Sequence, residues 1–133
     1  MTLYVDTSAL LKRYVDERDS DTAVELLRSD PVLVTCRITE VEVRRNLARL
    51  LRGGDLLQAQ RAFEDDLDHL ALVDVDSVTC AEAARLAEQT LCRSLDALHL
   101  ASALRAGART AFLTFDRHQA RGARSVGLDV LGV

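Results

Sequence analysis

Leu3-Tyr4-Val5-Asp6-Thr7-Ser8 is a short apolar run that ends in an acid and passes at once into helix-capping residues. The same plan recurs late in the chain, where Phe112-Leu113-Thr114-Phe115-Asp116 precedes a helical stretch. Between them, β-rich runs alternate with amphipathic helical ones. We read strands at Leu3–Val5, Val32–Thr35, Leu70–Val75, Thr110–Thr114 and Leu128–Leu131. Helices are read at Ser8–Val15 (capped by Thr7 or Ser8), Ser20–Ser29, Thr39–Arg52 and Asp55–His69. Three more run from a Ser77 cap to about Cys92, from a Ser94 cap to Ala106, and from Arg117 to Ser125. Asp30-Pro31 marks a turn, and Gly53-Gly54 stops the third helix. Five strands separated by helices need crossover connections, which predicts a parallel three-layer α/β/α sheet.

The remaining composition narrows the class. A chain of 133 residues fits one domain, 1–133, and buries enough surface to fold without a disulfide or structural metal. No apolar run approaches the roughly 20 residues of a membrane span. Asp6 interrupts the apolar start and no basic segment precedes it, so we expect no signal peptide. Cys36, Cys80 and Cys92 are odd in number, widely spaced and free of zinc patterning, which predicts buried thiols in a reducing cytoplasm. The formal net charge of -4 argues against holding nucleic acid by charge alone. Of the 17 basic residues only Lys12 is lysine, a bias that fits phosphate recognition and GC-rich coding alike.

Four acids stand apart by their surroundings. Asp6 and Asp116 close apolar strands, and parallel sheets bind ligands outside the carboxyl ends of their strands. If those strands are neighbours, the two acids share a crevice. Asp96 sits in the first turn of the apolar helix Ser94-Leu95-Asp96-Ala97-Leu98-His99, where a helix-dipole acid is the bland alternative. Glu42 lies in Ile38-Thr39-Glu40-Val41-Glu42-Val43, where a surface ion pair with Arg45 is the bland alternative. Converging carboxylates need a cation, and hard oxygen donors suit Mg²⁺ or Mn²⁺. Such a site polarises a phosphodiester and activates water.

At these residues the chain resembles the PIN-domain ribonucleases, specifically the VapC-type toxins of toxin–antitoxin pairs. Tyr4-Val5-Asp6-Thr7-Ser8-Ala9-Leu10 resembles the family's first motif, and Glu42 (not Glu40) falls in the second. Leu95-Asp96-Ala97-Leu98-His99-Leu100-Ala101 resembles the third motif, and Leu113-Thr114-Phe115-Asp116-Arg117 the fourth. The resemblance implies a parallel sheet in the order 3-2-1-4-5. It implies a Mg²⁺- or Mn²⁺-dependent endoribonuclease cutting tRNA or rRNA, a homodimer silenced by a cognate antitoxin.

On this reading Asp6, Glu42, Asp96 and Asp116 are the catalytic, metal-holding residues, with Glu42 either in the metal shell or orienting the attacking water. Thr7, Ser8 and Thr114 are hydroxyls that could fix those carboxylates. Arg45 and Arg49 share Glu42's helix face and could carry RNA phosphate, or form a solvated basic face. His99 reads as a packed histidine, with a general-acid role as the alternative; His69 and His118 read as surface residues. Tyr4, Tyr14, Phe63, Phe112 and Phe115 read mostly as core. Ala48–Leu51 and Leu56–Phe63 are candidate dimer surfaces.

Rival readings stay open. A phosphatase or phosphoryl-accepting domain built on Asp6 lacks a second acid at Ser8, and Lys12 lies too early for a receiver lysine. A non-catalytic PIN-like binding module would not need all four acids. A PIN nuclease acting on DNA, or outside a toxin pair, would keep them.

Overall fold

The computed structural model describes residues 2–30 and 32–133. The expected Asp30-Pro31 turn falls on Pro31, outside the described residues. The architecture grows from β1 (Thr2–Val5), whose side chains alternate between two cores. Leu3 and Val5 enter one core and Tyr4 the other. In β4 (Thr110–Thr114), Ala111 and Leu113 join the first and Phe112 the second. Both faces are therefore covered, which is why these strands read as unbroken apolar runs.

Among the described residues the sheet has five strands, all parallel, in the order 3-2-1-4-5. Tyr4 pairs with Val34 of β2 (Leu33–Cys36) on one side and with Phe112 on the other. β3 (Ala71–Val73) and β5 (Asp129–Gly132) form the edges. One layer contains α1 (Thr7–Leu11), α2 (Ser20–Arg28), α3 (Ile38–Leu50) and α4 (Gly53–Leu67). Leu10, Leu27, Val43, Leu47 and Phe63 come from it. The other contains α5 (Ser77–Thr90), α6 (Ser94–Arg105) and α7 (Arg117–Ser125), giving Leu86, Leu100 and Ala123. The expected α/β/α sandwich is present.

Several boundaries and caps differ from expectation, each for a local reason. α1 is one turn long and is capped by Asp6 itself, not by Thr7 or Ser8, because the Asp6 carboxylate accepts from the Ala9 N–H. Asp76, not Ser77, caps α5 by accepting from the Thr79 N–H. Ser94 lies inside α6, and Arg93 occupies its cap position without a side-chain cap bond. The glycine pair opens α4 where a helix stop was expected; α3 ends at Leu50, and Leu51 turns extended before it. After α1, Arg13 and Tyr14 both donate to Asp66, tying that segment to α4.

Gly132 offers a test of the edge pairing. It lies opposite Thr114 at φ +106°, and a methyl group there would collide with the Thr114 carbonyl oxygen. Gly132→Ala is expected to cost about 1–3 kcal/mol in urea unfolding, through strain and lost β4–β5 pairing. An unchanged midpoint and slope would show that the strand end accommodates the methyl.

Candidate active site

β1 and β4 are neighbours, so Asp6 and Asp116 follow the carboxyl ends of two adjacent central strands. The Asp6 N–H extends the ladder by donating to Leu113 O at 3.1 Å. Asp6 is 4% exposed, and both its carboxylate oxygens are bonded. Oδ1 accepts from Ser8 Oγ at 2.7 Å and from the Ala9 N–H at 3.1 Å, and Oδ2 accepts from Thr114 Oγ1 at 2.5 Å. The same hydroxyls accept from the backbone after β4, Ser8 from the Phe115 N–H and Thr114 from the Asp116 N–H. Two small hydroxyl residues thereby clamp the β1 acid to the β4 acid's own backbone. Burial pushes the Asp6 carboxyl above the usual range, against lowering by His99, Thr114, Ser8 and Ala9.

Asp116 caps α7, with Oδ1 accepting from the His118 and Gln119 N–H groups at 2.8 and 3.2 Å. Asp96 lies in the first turn of α6, and its Oδ2 accepts from Arg93 Nε at 3.0 Å. The Arg93 guanidinium reaches on toward Asp116 Oδ2, 4.0 Å away. One exposed cation thus spans two of the four acids. Gln119 Nε2 donates to the Asp96 carbonyl at 3.2 Å and fixes α7 against α6.

Glu42 does not pair with Arg45. Its Oε1 accepts from Thr7 Oγ1 at 2.8 Å and from His99 Nε2 at 2.7 Å. Burial is the largest influence on Glu42 and works to raise its pKa, but the His99 bond and charge, with Thr7, outweigh it and hold the carboxyl below the usual value. An ionised Glu42 can only accept, so Nε2 carries a proton. Nδ1 of the same ring lies 2.7 Å from Tyr4 Oη, and Tyr4 stacks on Phe112 with centroids 5.2 Å apart. His99 is buried as expected of a packed residue, yet both ring nitrogens are bonded. Sequence reasoning missed this link because Tyr4, Glu42 and His99 are far apart along the chain. It also missed Arg93, whose signal was only its i,i+3 spacing from Asp96.

Arg45 and Arg49 are exposed on α3. Arg49 donates to Asn46 Oδ1, and Asn46 in turn donates to the Glu42 carbonyl. His69 and His118 are exposed, as expected.

Among the described residues no three Asp, Glu, His or Cys side chains are grouped as a ready metal site. The donor chemistry nevertheless fits a hard cation. All four acids offer oxygen, and each keeps lone pairs that its bonds do not use. Glu42 Oε2 and Asp96 Oδ1 make no hydrogen bond among the described residues, and Arg93 already brings positive charge to Asp96 and Asp116.

The chain is similar to known proteins along nearly its whole length. The chain is 35% identical over 130 residues to Ribonuclease VapC46 of Mycobacterium tuberculosis, covering 97% of this chain and 95% of that one. It is 33% identical over 134 residues to Ribonuclease VapC35 of the same species, covering 97% and 95%. In fold it is similar to a toxin–antitoxin complex from Klebsiella pneumoniae, with a TM-score of 0.73 at 18% identity, covering 98% of this chain and 96% of that one. Residues 3–125 match the PIN domain, and the five-stranded parallel sheet has the order 3-2-1-4-5, so the chain belongs to the PIN-domain family.

Proposed function

We propose that this protein is a metal-dependent endoribonuclease, the toxin of a toxin–antitoxin pair. The observation that carries the reading is the placement of Asp6 and Asp116 after adjacent parallel strands, with Asp6 clamped by Ser8 and Thr114. Glu42, held ionised by His99 and Thr7, adds a further hard donor. The ribonuclease names of the similar mycobacterial proteins support RNA as substrate, and the Klebsiella complex supports an antitoxin partner. Structured RNA such as tRNA or rRNA is the proposed target, and a homodimer the proposed assembly.

Asp6, Glu42, Asp96 and Asp116 would hold Mg²⁺ or Mn²⁺. A bound divalent ion supplies polarisation of the phosphodiester and a lowered pKa for water. Glu42 orients the attacking water. Water oxygen bonds to phosphorus as the bond to the 3′ oxygen breaks, leaving a 5′-phosphate and a 3′-hydroxyl. Ser8, Thr7 and Thr114 keep the carboxylates from turning away. No helix among the described residues is long and apolar enough to cross a membrane. The cytoplasm is the proposed location; of the three cysteines expected to be buried only Cys36 is, while Cys80 is exposed on α5 and Cys92 half-buried.

The test is cleavage of total cellular RNA by purified, antitoxin-free protein in Mg²⁺ and in EDTA. Discrete cuts with 5′-phosphate ends that vanish in EDTA are the expected result. Cuts that persist in EDTA and leave cyclic phosphates would overturn the carboxylate mechanism.

A further inference from the structure

We propose that the concave face between α7 and the end of α5 with its connection to α6 is the track for the phosphodiester backbone of the RNA strand beside the cut. The inference rests on the ribonuclease reading and assigns a substrate path to the same site. A cavity of about 580 Å³ opens here, lined among others by Arg93, Asp96, His118 and Arg121. It shares Asp96 with the acidic cleft, so a strand bound at the acids has this cavity as its neighbour. That volume falls in the range of pockets that enclose small organic groups. Its one lining carboxylate, Asp96, is already answered by Arg93.

The charge of α7 continues the path. Arg117, Arg121 and Arg124 recur at i, i+4 and i+7, and no acid occurs from Arg117 to Ser125. That is a concentrated positive stripe in a chain of net charge -4. A second groove of about 480 Å³ is lined by all three arginines, and Arg121 borders both concavities. Arg13, Arg37, Arg44, Arg85 and Arg105 each meet a carboxylate. Among the described residues Arg117 and Arg121 meet none, while Arg124 is taken by the Val133 carbonyl. Two unneutralised guanidinium groups one helical turn apart, starting at the residue after Asp116, suit successive phosphates. Their planar faces also suit stacking against bases.

The arginines of α3 make a poorer track. Of the three, Arg44 is paired with Glu64 and Arg49 is tied to Asn46, which leaves Arg45 alone without a partner among the described residues, and Arg52 beyond the helix bonds the carbonyls at its end. An acidic protein segment could meet the same positive charge on α7. The track, however, begins at four carboxylates, which repel a peptide carboxylate and accept a phosphodiester only in company with a cation.

Backbone contacts ignore sequence, so fluorescein-labelled oligouridine serves as probe. Binding is followed by anisotropy at several salt concentrations in the otherwise wild-type protein, in constant Ca²⁺, a hard cation that takes the same oxygen donors in looser geometry and does not support turnover. Arg117→Gln with Arg121→Gln is expected to weaken binding about ten-fold and to flatten the plot of log affinity against log salt by about 1.4, two phosphates at about 0.7 each. Arg28→Gln with Arg61→Gln, exposed arginines of α2 and α4, is expected to leave both unchanged. The double variants should melt like their parent. An unchanged slope in the α7 variant, a larger loss in Arg45→Gln with Arg49→Gln than in the α7 variant, or no binding by the parent overturns the track. Tighter Arg121-dependent binding of oligoglutamate than of oligouridine also overturns it, in favour of an acidic protein partner. If the α7 effect holds while RNA is never cut, the track stands and the nuclease reading falls.

Discussion

Asp6→Asn is expected to lower metal-dependent RNA cleavage about a thousand-fold or more and, in the same protein, to raise the melting temperature measured in EDTA at neutral pH. The loss follows from removing the charge of the acid at the centre of the proposed site, where catalytic groups act as a unit and single deletions cost heavily. The gain follows from burial. Asp6 is almost fully enclosed, and that enclosure pushes its pKa up despite three hydrogen bonds. A raised pKa means that the folded state binds the proton more tightly than the unfolded state. Stability therefore falls as pH rises from the ordinary carboxyl value through the folded one, and the whole penalty is present above it. Asparagine keeps the cap on α1, since asparagine and aspartate cap about equally well, and removes the penalty. The variant should lose its advantage as the pH falls toward the ordinary carboxyl range. Magnesium should raise the melting temperature of the wild type and leave the variant unmoved. A variant that melts lower at neutral pH, or that still responds to magnesium, would remove Asp6 from the metal-holding set.

The contrast between legible and hidden features has a physical origin. Apolar runs that bury both faces are legible because every residue carries the same message, so β1, β4 and parallel pairing needed no tertiary information, whereas the order 3-2-1-4-5 came only with the family resemblance. The span of β4 and that of α7 match the reading residue for residue. Caps were read less well because serine, threonine and aspartate all accept from a helix N–H. At both Asp6-Thr7 and Asp76-Ser77 the aspartate took the role, one residue earlier. The glycine pair was read as a stop because Gly53 favours positive φ, and Gly53 does adopt +56°, but at the start of the next helix. Glu42 shows the deeper limit. Its local spacing offered Arg45, whereas the fold offered a buried imidazole from α6, and a buried partner wins because water competes little there.

That buried imidazole supports the second large effect. His99→Leu is expected to cost about 2–4 kcal/mol of unfolding free energy at neutral pH, because leucine fills much of the space but leaves Tyr4 Oη and Glu42 short of a partner. The pH dependence discriminates between a bonded network and mere packing. In the wild type, burial alone would raise Glu42, and the His99 and Thr7 contacts reverse that sign. A depressed folded pKa contributes stability that is present above the unfolded value and lost as pH falls through the folded one. Without His99, burial is opposed by Thr7 alone, so Glu42 should titrate above the ordinary glutamate value, and its contribution should change sign and weaken the fold as pH rises. The carboxyl ¹³C resonance of Glu42, followed across the acid range by NMR, reports this directly. A midpoint that moves from below the ordinary value in the wild type to above it in His99→Leu is the expected outcome, with Tyr4→Phe giving a smaller stability loss and little movement of Glu42. If Glu42 titrates alike in all three proteins, His99 contributes volume to the core and does not hold the carboxylate in its ionised form.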